Sequence, residues 1–198
     1  MTPPGRFGDQ GQAFPIYITV VGGLLLLALA YFAVGQAAAN RNGAQTAADA
    51  AALAAAQDTR DQLAAQWRTN LGDPGKWQKI FDGNVTVAPS CWRAHQLAGQ
   101  NGARVRNCEP TGPLGYRVEV ENAKAVGKSI VPGTERQHAQ AWATAVIQPL
   151  CAFQLPEPDA EPDTLPRLAC EDGDWDLDPE DTGLLPEPQD LFDVHLVG

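Results

Sequence analysis

The sequence predicts an α+β protein with one long amino-terminal helix, a small antiparallel sheet and an extended acidic carboxyl-terminal tail. Three observations lead to this prediction. An uncharged apolar stretch runs directly into an alanine-rich stretch, the middle of the chain contains segments of alternating polarity, and the last 45 residues are rich in acidic residues and proline. At 198 residues, the chain is long enough for one small core in addition to the helix and the tail.

The apolar stretch has the length of a membrane-spanning helix. Residues 11–40 contain no charged side chain, and the nineteen residues 16–34 are nearly all apolar. At about 1.5 Å per residue they extend for about 30 Å, the thickness of the bilayer hydrocarbon. We therefore predict a short cytoplasmic amino terminus at residues 1–13 and a transmembrane helix at residues 14–35. The apolar run is longer than a typical cleaved signal and its start contains a single basic residue, Arg6, so we expect a retained anchor.

The alanine-rich stretch predicts that the helix continues beyond the bilayer. Residues 36–71 are expected to form an extracytoplasmic helix, because fourteen alanines lie between positions 37 and 65. Alanine buries little area, so this helix suits the close approach of a neighbour. Two interpretations remain open: a core helix packed on a sheet, or a seam along which copies of the chain associate. The helix is expected to end at residues 70–72, where asparagine and glycine occur.

The middle of the chain predicts a small α+β head at residues 72–153. Its clearest signal is the alternation of Tyr-Arg-Val-Glu-Val-Glu at residues 116–121, which is typical of a half-buried strand. The predicted strands are residues 85–87, 103–107, 116–121 and 139–147, and a short helix is predicted at residues 92–100.

Four cysteines, Cys91, Cys108, Cys151 and Cys170, all follow the long helix. An even number of cysteines on one side of a membrane segment indicates two disulfides in an oxidising space. The sequence permits three connectivities, and we expect Cys91 to pair with Cys108 and Cys151 with Cys170. The disulfides also predict the orientation, with the carboxyl-terminal bulk of the chain extracellular. A zinc site is poorly supported, because the sequence has no Cys-x-x-Cys pair.

The charge of the protein is unevenly distributed. The net charge of −10 consists of +3 in residues 1–153 and −13 in residues 154–198. Nucleic acid binding requires clustered basic residues, so this balance excludes nucleic acid as an expected partner. Residues 154–198 also contain seven of the sixteen prolines. This composition favours an extended and poorly packed acidic tail.

Alternating carboxylates in the tail are weak candidates for a metal site. They are Asp172, Asp174, Asp176 and Asp178. Oxygen ligands of this kind suit calcium, but an EF-hand loop beginning at Asp172 would require glycine at its sixth position and glutamate at its twelfth, and the sequence has neither there. We therefore expect a solvated acidic segment and no metal site or cofactor.

The residues most suited to catalysis lie in no recognisable motif. His95, His138, Ser90 and Ser129 are scattered, and nothing near them marks a nucleophile with its base. We expect a non-enzymatic protein without a small-molecule substrate.

The start of the chain resembles a known family. The Gly-Gln-Ala before the apolar stretch and the sequence ANRNGAQTAADAAALAAA after it resemble TadE/TadG-like Flp (tight adherence) pilus assembly proteins of high-GC Gram-positive bacteria. The most specific part is residues 41–56. Family members that are cut by prepilin peptidase have a glutamate shortly after the cut, whereas no glutamate follows Gly8 or Gly11 before Glu109. The chain is therefore more similar to the members that retain their anchor.

The resemblance implies a single-pass membrane protein with a pilin-like head. Its expected partners are membrane lipid and other pilin-like or pilus-assembly subunits, which would contact the anchor helix. An alternative of a different class is a membrane-anchored extracellular binding protein whose acidic tail captures cations or a basic partner.

Overall fold

A computed structural model describes residues 13–125, 136–155, 165–178 and 181–198. The predicted cytoplasmic segment up to residue 12, Ser129 and residues 156–164 of the predicted tail lie outside the described residues. The helices are α1 (Ala13–Thr69), α2 (Trp77–Phe81), α3 (Cys91–Gln100) and α4 (Pro188–Leu191). The strands are β1 (Ala103–Pro110), β2 (Gly115–Asn122), β3 (Gln140–Pro149), β4 (Cys151–Phe153), β5 (Leu168–Cys170), β6 (Gly173–Trp175) and β7 (Phe192–Val197).

Helix α1 is continuous over 57 residues, which corresponds to a length of about 85 Å. It contains proline only near its start, at Pro15, where the missing N–H leaves no helical hydrogen bond unmade. The helix ends at Thr69, and the Asn70 side chain donates to the Gln66 carbonyl at 2.8 Å. The sequence prediction of a helix end at residues 70–72 is thus confirmed.

The main sheet is antiparallel, with four strands in the order β1-β2-β3-β7. Alternate residues of β2 and β3 point toward α1 and are buried. They include Val118, Val120, Ala143, Ala145 and Ile147. The predicted strands at 103–107, 116–121 and 139–147 are confirmed, as is the helix at 92–100. The combination of the long helix with antiparallel sheets confirms the α+β class.

The second half of α1 is the central helix of the hydrophobic core. Its fully buried alanines are Ala44, Ala47, Ala48, Ala51, Ala52, Ala55 and Ala56. Their small side chains let the helix lie close to β2 and β3 on one side and to α3 on the other. The sequence left two interpretations open for this segment, and the structure agrees with the first of them, a core helix packed on the sheet.

Aromatic side chains close the end of the core that lies farthest from the start of α1. Trp67 and Trp77 meet edge to face at a centroid distance of 5.5 Å, and Trp77 contacts Phe153 at 5.3 Å. Phe81 contacts Phe153 at 5.8 Å and Phe192 at 5.2 Å. This cluster joins the end of α1, α2, β4 and β7, which are far apart in sequence.

The predicted strand at residues 85–87 is wrong. Side chains of α1 take the backbone hydrogen bonds that a strand would need: Gln66 Nε2 donates to the Thr86 carbonyl at 2.7 Å, and Gln62 binds both backbone groups of Ala88. A segment whose backbone groups are satisfied by the helix has no need of a neighbouring strand. The Val-Thr-Val pattern therefore packs against α1 as irregular chain.

The prediction of an extended tail over residues 154–198 is wrong for the part of it that the structure describes. Strand β7 pairs with β3 along its length, so the end of the chain belongs to the main sheet. Strands β4, β5 and β6 form a second antiparallel sheet. The physical reason is burial: Leu168, Leu191 and Phe192 are fully buried and anchor the surrounding acidic residues to the core. These few apolar positions are not recognisable in the average hydropathy of the segment, which is low.

Candidate functional site: the apolar half of α1 and its junction with the head

The first half of α1 exposes its apolar side chains. Among the described residues, α1 is the helix whose length and composition suit a membrane crossing, and its most apolar 18-residue window has no buried residue. The exposed side chains include Ile16, Leu24, Leu25, Leu26, Leu27, Leu29, Phe32 and Val34. A soluble protein rarely exposes a continuous apolar surface of this length. Tyr17 and Tyr31 lie near its two ends, where amphipathic rings favour a membrane interface.

The junction between the apolar half and the packed half of α1 is held by amide side chains. Asn122, at the end of β2, donates through Nδ2 to the Asn40 carbonyl at 2.9 Å. One turn further along, Gln45 Nε2 donates to Asp49 Oδ1 at 2.8 Å and to the Trp142 carbonyl at 3.3 Å. These bonds tie the sheet to α1 at the point where burial begins.

An open cleft of about 720 Å³ lies beside this junction. It is lined by α1, the start of β3 and the end of β7: Arg41, Asn42, Gln45, Asp49, Gln140, Ala141, Trp142, Ala143, Leu196, Val197 and Gly198. The guanidinium of Arg117 lies 4.0 Å from the centre of the exposed Trp142 ring on the outer side of the sheet. The lining combines one basic, one acidic and three amide side chains with apolar ones.

Two disulfides brace the head. They join Cys91 to Cys108 and Cys151 to Cys170. The first connects the start of α3 to β1, and the second connects the neighbouring strands β4 and β5. Each closes a short loop and so reduces the conformational freedom of the unfolded chain.

Asp174 and Asp176, two of the acidic residues that the sequence singled out, contact Arg167. Arg167 donates to both carboxylate oxygens of Asp176, at 2.7 and 2.9 Å, and lies 3.7 Å from Asp174. The hydrogen bond from Arg167 lowers the pKa of Asp176 below its usual value. Asp172 is an exposed turn residue, and Asp178 follows β6. Within the described residues, no three carboxylate, histidine or cysteine side chains are grouped so that they could hold a metal ion.

The histidines and Ser90 do not come together. His95 is exposed on α3, whereas the ring of His138 contacts the Asn122 carbonyl through Nδ1 at 2.7 Å. Ser90 is buried, and its hydroxyl shares a hydrogen bond of 2.7 Å with Thr59. Thr59 in turn contacts the Tyr116 hydroxyl at 3.1 Å. Ser90 thus belongs to a polar network inside the core.

The sequence analysis did not predict the residues that join the head to α1. Asn122, Gln62 and Gln66 are amides in segments that read simply as strand or helix, and no local pattern marks their distant partners.

The fold and the exposed helix define a class: an α+β protein with a disulfide-braced head on a helix suited to a membrane. Within this class, residues 11–58 match the family model for Flp pilus-assembly TadE/G-like proteins. The matched segment begins just before the exposed apolar half of α1 and ends within its buried alanine-rich half. The comparisons with curated proteins and with solved structures find no match.

Proposed function

We propose that this protein is a non-enzymatic, single-pass minor pilin-like component of a Tad/Flp-type pilus assembly or secretion system in a high-GC Gram-positive bacterium. One observation carries the proposal: the match to the TadE/G-like family crosses from the exposed apolar half of α1 into the half that packs on the sheet. The matched segment therefore unites membrane anchoring with the attachment of the head.

The proposed orientation has a cytoplasmic amino terminus at residues 1–13, a transmembrane segment at residues 14–35 and an extracellular head. The two disulfides support this orientation, because such bonds persist in oxidising compartments outside the cytoplasm. The apolar side chains that the head leaves uncovered would then face lipid.

The proposed partners, besides membrane lipid, are other pilin-like or pilus-assembly subunits that contact the anchor. Gly22 and Gly23 support close packing of a second helix, because a side chain added at either position would meet nothing within 4 Å in this chain. Small residues at such positions let helix backbones approach closely in a membrane.

The proposal is tested by deletion and complementation in the native host. Deletion should reduce or abolish surface fibres, and the full chain should restore them. A variant whose residues 14–35 are replaced by an unrelated apolar helix should reach the membrane and fail to restore fibres, because it anchors the head without the specific helix surface. A deletion strain with normal fibres would contradict the proposal.

A second candidate function is an anchored binding protein that captures cations or a basic partner. The supporting observation is the concentration of acidic residues in residues 154–198, part of which lies near the end of α1 that is away from the apolar half. Arg68, in the last turn of α1, donates to the Pro186 carbonyl at 2.9 Å and so brings this acidic part to that end.

The two candidates are distinguished by calorimetry of the full chain in detergent with calcium. Micromolar binding would favour the second candidate, and its absence would favour the first. A fragment of residues 72–198 is unsuitable, because it lacks the alanines of α1 that form the centre of the core.

A further inference from the structure

We propose that the end of the head nearest the anchor binds the anionic headgroups of the lipid bilayer. This surface, the basic rim, consists of Arg41, Arg104, Lys124 and Arg136, which are all exposed. The inference rests on the proposed membrane anchor and adds a second, electrostatic contact between the protein and the bilayer. The inference does not depend on which side of the membrane the head occupies.

The fold brings the four residues of the basic rim together around Asn122. Lys124 follows Asn122 by two residues, and Arg104 lies opposite Glu121 in the pairing of β1 with β2. The Asn122 N–H donates to the Ala139 carbonyl at 2.9 Å, which places the segment that begins at Arg136 beside it.

The remaining residue of the rim, Arg41, is next to Asn40, the residue that binds the Asn122 side chain. The rim therefore combines residues from α1, β1 and both described ends of the connection between β2 and β3.

The continuous helix determines the distance of the basic rim from the bilayer. Asn40 lies five positions beyond Gly35, the end of the proposed transmembrane segment, which corresponds to about 8 Å along α1. The headgroup layer on each side of the hydrocarbon is about 5–8 Å thick. Asn40 and its partner Asn122 thus lie at the outer edge of that layer, within reach of long basic side chains from lipid phosphates.

The charges near the rim favour anionic lipid. Lys124 and Arg136 form no ion pair with the other described residues. Of the carboxylates nearest the rim along the described chain, Glu121 pairs with Arg106 at 3.3 Å. Asp49 accepts a hydrogen bond from the neutral Gln45 amide and lines the cleft together with Arg41, so it offsets one of the four basic charges and leaves the rim positive.

The acidic part of the chain returns to the cleft beside Arg41 through β7, whose carboxylate, Asp193, lies opposite Gln148 toward the other end of β3. Its contact with α1 through Pro186 is at Arg68, 27 residues beyond Arg41, or about 40 Å along the helix. At physiological ionic strength the Debye length is about 8 Å, so charges at such a distance are almost fully screened. A protein with a net charge of −10 can therefore present a basic surface to an anionic membrane.

The test uses the full chain in nanodiscs of neutral phosphatidylcholine, with or without about one third of phosphatidylglycerol. Hydrogen exchange measured by mass spectrometry reports contact at residues 100–104 and 121–125, with α2 as an internal reference. One basic side chain near an anionic surface strengthens binding by about fivefold. We therefore expect exchange in both segments to slow by about threefold or more in the anionic discs, and α2 to stay unchanged.

Two matched variants identify the side chains responsible. The double variant with Lys124→Glu and Arg136→Glu should show the same hydrogen exchange in the neutral and the anionic nanodiscs. The control with Lys76→Glu and Lys79→Glu makes the same change in charge beyond the far end of α1, and its exchange should still slow in the anionic discs. The neutral pair Lys124→Gln and Arg136→Gln should weaken the dependence, which guards against misfolding of the charge-reversed protein. Salt at 0.5 M should remove it in the unaltered protein.

The possible outcomes separate this inference from the membrane anchor. Release of the protein from lipid vesicles by alkaline carbonate would overturn both the anchor and the contact of the rim. Retention in the vesicles with equal exchange in the two kinds of nanodisc would overturn the rim contact alone. An equal loss of lipid dependence in the rim variant and in its matched control would also overturn it, because the effect would then come from total charge.

Discussion

Replacing Ala52 with leucine tests the close packing of α1 against the head. Ala52 is completely buried, as are Ala48 and Ala56 one turn to either side. A leucine there has to displace the helix or adopt a strained rotamer, and overpacking of this kind costs about 1–3 kcal/mol. For domains of about 150–250 residues, 1 kcal/mol lowers the Tm by about 2–4 °C. We therefore expect Ala52→Leu to lower the Tm by roughly 2–12 °C.

The measurement is thermal unfolding of the full chain in detergent micelles, followed by near-ultraviolet circular dichroism. This signal reports the packed tryptophans at the far end of the core. The matched control is Ala65→Leu, which makes the same chemical change at an exposed position of the same helix. The control should alter the free energy of unfolding by no more than about 0.5 kcal/mol.

A second measurement, the oligomeric state by light scattering, distinguishes a core helix from a seam between copies of the chain. If the alanines formed a seam between copies of the chain, Ala52→Leu would change the oligomeric state and leave the unfolding of the head unaltered. A Tm equal to that of the unaltered protein would therefore show that α1 is not the core helix described here. A large loss of stability in Ala65→Leu would equally contradict the assignment of the buried face.

Three further predictions concern the polar network, the ion pair in the acidic region and the second disulfide. Thr59→Val leaves the buried Ser90 hydroxyl without its closest partner and should cost about 1–3 kcal/mol in denaturant unfolding, whereas Thr69→Val, on the exposed surface, should cost little. Arg167→Gln should raise the pKa of Asp176 toward its usual value near 3.9, as read from carboxyl NMR shifts against pH. Since folding lowers the pKa of Asp176, the ion pair stabilises the folded protein above the pKa that Asp176 has in the unfolded chain. This stabilisation is lost as the pH falls through the pKa of Asp176 in the folded protein. A titration midpoint of Asp176 that is the same in the variant and in the unaltered protein would contradict the pairing with Arg167. Alanine in place of both cysteines of the β4–β5 disulfide should lower the free energy of unfolding by about 3 kcal/mol, and unchanged stability would show that the bridge does not constrain the unfolded chain.

Patterns among neighbouring residues predicted the helix and the strand that depend on helix propensity and on alternating burial. The uncharged stretch and the alanines after it predicted a helix to residue 70, and α1 ends at Thr69. The alternation at 116–121 predicted β2, because one face of a sheet is buried and the other is exposed. The residues that join the head to α1 could not be predicted in this way. Asn122 and Asn40 are 82 positions apart, and their contact exists only once the sheet has formed.

The failed predictions share a cause. The segment at 85–87 has the local pattern of a strand, but its backbone groups are bound by side chains of α1 that precede it by about 20 residues. The acidic region has the composition of an extended tail, but Leu191 and Phe192 fill space in a core built by earlier elements. In both segments a few long-range contacts outweigh the local tendency, because burial and hydrogen bonding depend on what the rest of the chain provides.

The amino-acid sequence alone shows an uncharged apolar run of bilayer length, an alanine-rich run of helix-forming residues after it, and four cysteines on one side of it. These features follow from hydropathy, helix propensity and cysteine number, which are properties of single residues and their near neighbours. The folded structure adds that the alanine-rich helix is the centre of the core and that β7 completes the main sheet. These features are relations between distant residues, and they arise when packing brings the segments together.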